Sequence, residues 1–292
     1  MPDKIACSIV IATRDAEENL PAILAVLGVE AGANTEVLIC TENPARLQEV
    51  PLAPGMRIVA GSPGAAIPEL WRDGILAARG RNLGLLSAHC VPRHGWLTHL
   101  QQLKFEGCAG YGGRISEPAA SDAASRAMFC LRYVGASSPR AGRVHDIAAD
   151  NACYDRDEIL RCDDLLPAGF WEPFFHARFA ARGRWLEHDP DLRADHINRY
   201  TPGEFMAQRR HHGRAFARDR VAGKPRWIKW GIAMLSPAVF PVFALKATRR
   251  ILARPDLRRG FAGAAPWFYV FLANWSLGEI TGYWHAAGAR RS

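Results

Sequence analysis

A carboxylate, two imidazoles and a run of cations are the side chains of this sequence best equipped for chemistry. Glu172 stands between Trp171 and Pro173. Bulky apolar neighbours suit a carboxylate that moves protons, and the same position suits an ordinary helix-start residue. His89 and His196 carry imidazoles able to ligate a metal or meet a phosphate, and each equally fits a hydrogen-bonded buried histidine. The run 208–214, QRRHHGR, is strongly basic. Its Arg210, His211 and Arg214 fit a clamp on a diphosphate, a solvated helix face, or a contact with lipid headgroups. Seven cysteines form no C-x-x-C pair, and their number is odd. A disulfide framework or zinc ribbon is therefore not expected, and a reducing compartment is.

These residues need a scaffold, and the first hundred positions describe one. Short apolar runs occur at residues 7–13 (CSIVIAT), 35–41 (TEVLICT) and 57–60 (RIVA). Helical stretches fall at 18–27, ahead of Gly28, and at 68–78, ahead of Gly80. Strands that alternate with helices, each a near-continuous apolar run, predict an α/β fold with a mostly parallel sheet covered on both faces. Ligands of such sheets bind at the carboxyl ends of the strands. That directs attention to residues 13–15, 41–43 and 87–90. Asp15 there either meets a ligand or caps the following helix. Residues 110–198 show less regular periodicity, with the Gly, Asp, Arg and aromatic content of long loops.

The chain of 292 residues is 49% hydrophobic and 23% charged, as a globular protein is. Its formal charge of +8 fits a polyanionic partner. The N-terminus lacks the apolar stretch of a signal peptide. Two segments near the other end, 230–245 (WGIAMLSPAVFPVFAL) and 261–278 (FAGAAPWFYVFLANWSLG), are uncharged and apolar. Pro237 and Pro241 should kink the first. Between them lie Lys246, Arg249, Arg250, Arg254, Arg258 and Arg259; Lys224, Arg226 and Lys229 precede the pair, and Arg290 and Arg291 follow it. A pair of re-entrant or interfacial helices keeps all three basic groups on one membrane face. Trp227, Trp230, Trp267, Tyr269, Trp275, Tyr283 and Trp284 suit that interface. A buried helical pair or an oligomer contact is the other explanation.

Five motifs in order support a resemblance. They are SIVIATRDAEENLPAILAVL at 8–27, with the turn Ala12-Thr13-Arg14-Asp15; the stretch from Pro68 to Gly80, then LLSAHCVP at 85–92 and Gly95-Trp96-Leu97; Asp150-Asn151-Ala152-Cys153-Tyr154-Asp155-Arg156; Gly169-Phe170-Trp171-Glu172 with Phe175-His176; and Asp195-His196. Together, over residues 5–200, they resemble family 2 glycosyltransferases. The resemblance implies a GT-A fold and inverting transfer from a UDP- or GDP-sugar, with Glu172 as base. It implies a donor pocket of Thr13, Arg14, Asp15, Glu42, Arg79, Ser87 and His89, with Asn151 on the acceptor side; beyond the matching residues, the basic run offers Arg210, His211 and Arg214 as further acceptor or phosphate contacts.

At the family's D-x-D or E-D-H element this chain reads Ser87-Ala88-His89, without carboxylates. Mn2+ or Mg2+ would then rest on His89, His196 and the diphosphate; or Arg79, Arg81 or Arg210 would replace the metal; or the protein would be inactive. The resulting expectation is a glycosyltransferase domain over 1–200, a basic helical linker over 201–226 and a membrane-associated tail over 227–292. It would act on a lipid-linked or envelope-polysaccharide acceptor at the cytoplasmic face of the inner membrane. A catalytically inactive scaffold of an envelope-synthesis complex is the alternative. Nucleic-acid binding is not expected, because no helix-turn-helix, RRM or zinc signature accompanies the charge.

Overall fold

A computed structural model describes residues 5–14, 17–117 and 121–289. In chain order the elements are β1 (Cys7–Thr13), α1 (Leu20–Glu30), β2 (Thr35–Thr41), β3 (Met56–Ala60), α2 (Ile67–Ala77), β4 (Asn82–Ser87), β5 (Cys90–Pro92), α3 (Trp96–Gln102), β6 (Cys108–Ser116), α4 (Ala123–Tyr133), β7 (Gly142–Val144), β8 (Asn151–Asp155), α5 (Arg156–Leu160), α6 (Glu172–Ala181), β9 (Trp185–His196), α7 (Pro202–Arg220), α8 (Arg226–Leu235), α9 (Val239–Leu252), α10 (Pro255–Arg258) and α11 (Phe261–Gly288). They form two compact units: Met1–Pro118 with Gly135–Arg199, and Ala119–Val134 with Tyr200–Ser292.

The first unit is built on a mixed sheet in the order β3-β2-β1-β4-β8-β6-β9-β5, with β7 paired to β9. β1 runs parallel to β2 and β4, and β2 parallel to β3. β8 then enters antiparallel between β4 and β6, and β6 pairs parallel with β9. Side chains alternate across a strand. Val10, Ala12, Leu38 and Cys40 therefore pack with Leu70, Trp71 and Ile75 of α2 on one face. Ile9, Ile11, Val37 and Ile39 pack with Leu20, Ile23 and Leu24 of α1 on the other. Cover on both faces is why β1 and β2 read as near-continuous apolar runs. Each aliphatic side chain fully removed from water contributes about 1.5–3 kcal/mol.

The second unit is helical among its described residues. α11 packs along α7, where Phe205 and Phe271 meet edge to face at 4.9 Å. The two backbones approach so closely that a Cβ on Gly278 would fall 2.2 Å from the Arg210 carbonyl oxygen. α8 and α9 form one apolar run, broken at Ser236–Ala238 by a 3-10 turn where Pro237 cannot donate an α-helical hydrogen bond.

The expected pair of equivalent apolar helices is corrected to one. Among the described residues only Arg226–Leu252 is long and apolar enough to cross a membrane, and 11% of its most apolar window is buried. α11 instead buries Phe261, Ala264, Phe268, Phe271 and Leu272. Tyr283 is not an interface residue either. It is buried, donates to Glu279 and accepts from Arg220 at 3.1 Å. Arg290 and Arg291 lie outside the described residues.

Candidate functional site

Three parallel strands deliver their tips to one edge of the sheet. Thr13 ends β1 opposite Thr41 of β2, and Ala12 pairs with Ser87, the last residue of β4. Thr13 and Ser87 are 1% and 2% exposed, yet neither hydroxyl has a hydrogen-bond partner among the described residues. Beside them Arg14 pairs with Glu42, Nε to Oε1 at 2.9 Å. The other Glu42 oxygen accepts the Gly64 N–H at 2.6 Å. The family resemblance assigns Asp15 to this turn, but Asp15 lies outside the described residues.

The chain leaving β4 carries His89, buried at 5% exposure, whose carbonyl accepts the Ile197 N–H at 2.8 Å. That bond brings in His196, the last residue of β9, with ring centroids 6.2 Å apart. Asn19, which no sequence argument singled out, fixes this corner. Its amide donates to the Ala88 carbonyl and accepts from Arg199 Nε, each at 2.8 Å. Asn19 does fall inside the 8–27 run that carries the first motif of the resemblance.

Glu172 begins α6 and is half-buried. Its Oε1 accepts the Ala149 N–H at 3.0 Å, and the next carbonyl, Asp150, accepts the Ser87 N–H at 3.3 Å. Two hydrogen bonds thus connect the carboxylate to the tip of β4. Gly169 sets its approach. At φ +102°, a Cβ there would stand 3.0 Å from the Pro68 backbone, so only glycine sits without strain. One turn along α6, buried His176 meets Tyr154 at 3.0 Å and Asp146 at 3.3 Å, holding the same 146–149 segment. Burial pushes the His176 pKa down, and Asp146 opposes that shift. The Tyr154 hydroxyl is pushed up, by burial first and then by the Glu172 charge.

Arg79, Arg81 and Asn151 are not brought to this cluster as working groups. Arg79 lies at the opposite edge. Its Nε and Nη2 donate to Glu36 Oε2 at 3.1 and 2.9 Å, and Glu36 also accepts from Ser8 at 2.7 Å. Ser8 is the second residue of β1, so Thr13 stands roughly 17 Å farther along the strand. Arg81 shares that edge, paired with Asp155 at 3.0 Å. Neither stands in for a metal at the tips. Asn151 is fully buried, with Oδ1 accepting from Trp96 and Nδ2 donating to the Leu192 and Arg114 carbonyls. Its amide locks β8 to its neighbours, which leaves nothing for an acceptor. Arg210, His211 and Arg214 belong to the second unit, on α7.

No protein-family model matches the chain, and no curated protein matches it in sequence. Solved structures do. The mannosyltransferase PcManGT from Pyrobaculum calidifontis, in complex with GDP-Man and Mn2+, matches with a TM-score of 0.53. It is 13% identical, over 92% of this chain and 86% of that one. The fold is glycosyltransferase-like. A mycobacterial protein matches at a TM-score of 0.45 and 12% identity, over 74% of each chain.

That first neighbour is in complex with Mn2+. Among the described residues no three His, Cys, Asp or Glu side chains are placed to hold a metal. His89 and His196 supply imidazole only, whereas Mg2+ prefers oxygen ligands and Mn2+ tolerates nitrogen better. The described side chains do not fit a protein-held divalent ion.

Proposed function

We infer that this chain is a glycosyltransferase that moves a sugar from a UDP- or GDP-sugar to an acceptor hydroxyl. The observation that carries this reading is the pair of buried hydroxyls, Thr13 and Ser87, at the carboxyl ends of β1 and β4, which have no hydrogen-bond partner among the described residues. Sheets of this kind bind ligands there, and a buried polar group without a partner is costly. A donor's ribose and phosphate oxygens would complete both hydroxyls, and Arg14 would contribute charge-assisted bonds. Support for a nucleotide-sugar comes from the fold shared with a protein that binds GDP-Man.

Glu172 is the base in this reading. The acceptor oxygen forms its bond to the anomeric carbon on one side as the bond from that carbon to the diphosphate oxygen breaks on the other. The acceptor proton passes to the Glu172 carboxylate, the nucleoside diphosphate leaves, and the anomeric configuration inverts. The Ala149 N–H holds one carboxylate oxygen in place. The acceptor is lipid-linked or an envelope polysaccharide, and the enzyme works at the cytoplasmic membrane face. Support for that location is the exposed run Arg226–Leu252 with cations at both ends.

Purified protein incubated with a panel of UDP- and GDP-sugars tests the reading. Glu172→Gln keeps an oxygen for Ala149, so donor binding should persist while transfer falls about 10²–10⁴-fold. Transfer that survives the substitution removes Glu172 as base. The missing carboxylate set favours a second reading, an inactive scaffold that binds a nucleotide-sugar without turning it over. Donor binding without turnover in the unaltered protein would select it, and no binding across the panel would remove both.

A further inference from the structure

Seven cationic or imidazole side chains lie on α7 between Arg209 and Arg220, and four of them are engaged. Arg209 donates to Gln208 at 2.6 Å and lies 5.1 Å over the Phe205 ring. His212 accepts from Trp275 at 3.3 Å. Arg218 pairs with Asp219, and Arg220 with Glu279 and Tyr283. Arg210, His211 and Arg214 are the exceptions: among the described residues no hydrogen bond or ion pair satisfies them, and all three are exposed. These same three line one open hollow of 390 Å³ with Met206, Ala207 and Asn274 of α11.

The coincidence calls for a ligand. Like charges one turn apart on a helix repel, so Arg210 and Arg214 destabilise α7 unless something neutralises them. The crossing of α7 and α11 holds them there, because the Arg210 and Arg214 backbones press against Gly278 and Gly282. The hollow falls within the range of about 300–1,000 Å³ typical of ligand pockets. A carboxylate would match one of the charges and leave the rest uncompensated. A phosphate or diphosphate carries enough negative charge and enough acceptor oxygens for two guanidinium forks. Those forks start one helical turn, about 5.4 Å, apart, which suits two adjoining phosphoryl groups.

We propose that the α7–α11 hollow is a phosphate-binding site, in which Arg210 and Arg214 clamp a mono- or diphosphate and His211 and Asn274 complete its hydrogen bonds. The site lies wholly within the second unit. It stands or falls apart from the role of Glu172, because its test reads binding and not transfer.

Calorimetric titration of the full chain with inorganic pyrophosphate is the first arm. The second is sedimentation with phosphatidylcholine vesicles with and without phosphatidic acid. The double variant Arg210→Gln/Arg214→Gln should weaken the response about tenfold or more in at least one arm. Arg218→Gln, whose guanidinium is already paired, should leave it unchanged. Thr13→Val identifies any pyrophosphate bound instead at the strand tips. A response confined to the first arm names a soluble diphosphate as ligand, and one confined to the second names a lipid headgroup. If neither arm distinguishes the double variant from the unaltered protein, or if Arg218→Gln weakens binding as much, the proposal is wrong.

Discussion

Thr13 and Ser87 separate a binding function from a structural one, because the two roles pull stability in opposite directions. A buried hydroxyl without a partner costs about 1–3 kcal/mol. Thr13→Val keeps the β-branched shape at the end of β1 and removes that cost. Unfolding by denaturant should therefore show the variant about 1 kcal/mol more stable, or unchanged, when no nucleotide is present. Nucleotide-sugar or nucleoside-diphosphate affinity should fall about tenfold in the same variant, and Ser87→Ala should behave alike. Lost stability with unchanged affinity would mean that these hydroxyls serve the fold alone. At this scale the sequence was partly legible. Thr13, Glu42, His89 and Glu172 could be named from strand ends and motif order. Their partners could not: the Arg14–Glu42 pair, the Asn19 bridge and the Ala149 bond all join positions remote in sequence.

Strand direction explains why Arg79 misled the sequence reading. It follows α2 at the start of the stretch leading to β4, so it lies at the amino edge, where Glu36 and Ser8 receive it. Burial pushes the Glu36 carboxyl up, but hydrogen bonds from Ser8 and Arg79 outweigh it and hold the pKa below the ordinary 4.5. A lowered carboxylate stabilises the fold in full above its unfolded value. That stabilisation is lost as the pH falls through the folded value. Glu36→Gln should cost about 1–3 kcal/mol at pH 7 and much less near pH 3, measured by denaturant midpoints. Donor binding at the far edge should be unaffected; a matching loss of affinity would return Arg79 to the site. β1, β2 and α2 were legible because buried elements carry strong patterns. α1 ran past Gly28 to Glu30, whose carboxylate accepts the Leu97 and Thr98 N–H groups at the start of α3. Such long-range bonds override a local stop signal. β6 was illegible because Gly110, Gly112 and Gly113 defeat strand propensity.

Hydropathy alone gave the two apolar segments of the second unit the same reading, and packing divides them. α11 carries Phe268 and Phe271 at 0% exposure, while the α8–α9 run leaves Leu235 and Val242 at 74% and 58%. Under the proposed membrane location an anionic bilayer covers this apolar surface, drawn by Lys224, Arg226 and Lys229 at its first end and Lys246, Arg249 and Arg250 at its last. Each cation near such a surface contributes about 1 kcal/mol. Leu235→Asp and Val242→Asp should therefore change folding stability by no more than about 0.5 kcal/mol. Together they should lower co-sedimentation with phosphatidylglycerol vesicles about tenfold or more, since a carboxylate resists leaving water. Phe271→Ala supplies the contrast. It should cost about 3–5 kcal/mol of stability and spare vesicle binding wherever the protein stays folded. If the Asp variants bind vesicles normally, the bilayer is not the cover. If they instead unfold as readily as Phe271→Ala, the face is closed by a second copy of the chain, and thermal midpoints that rise with protein concentration would show it.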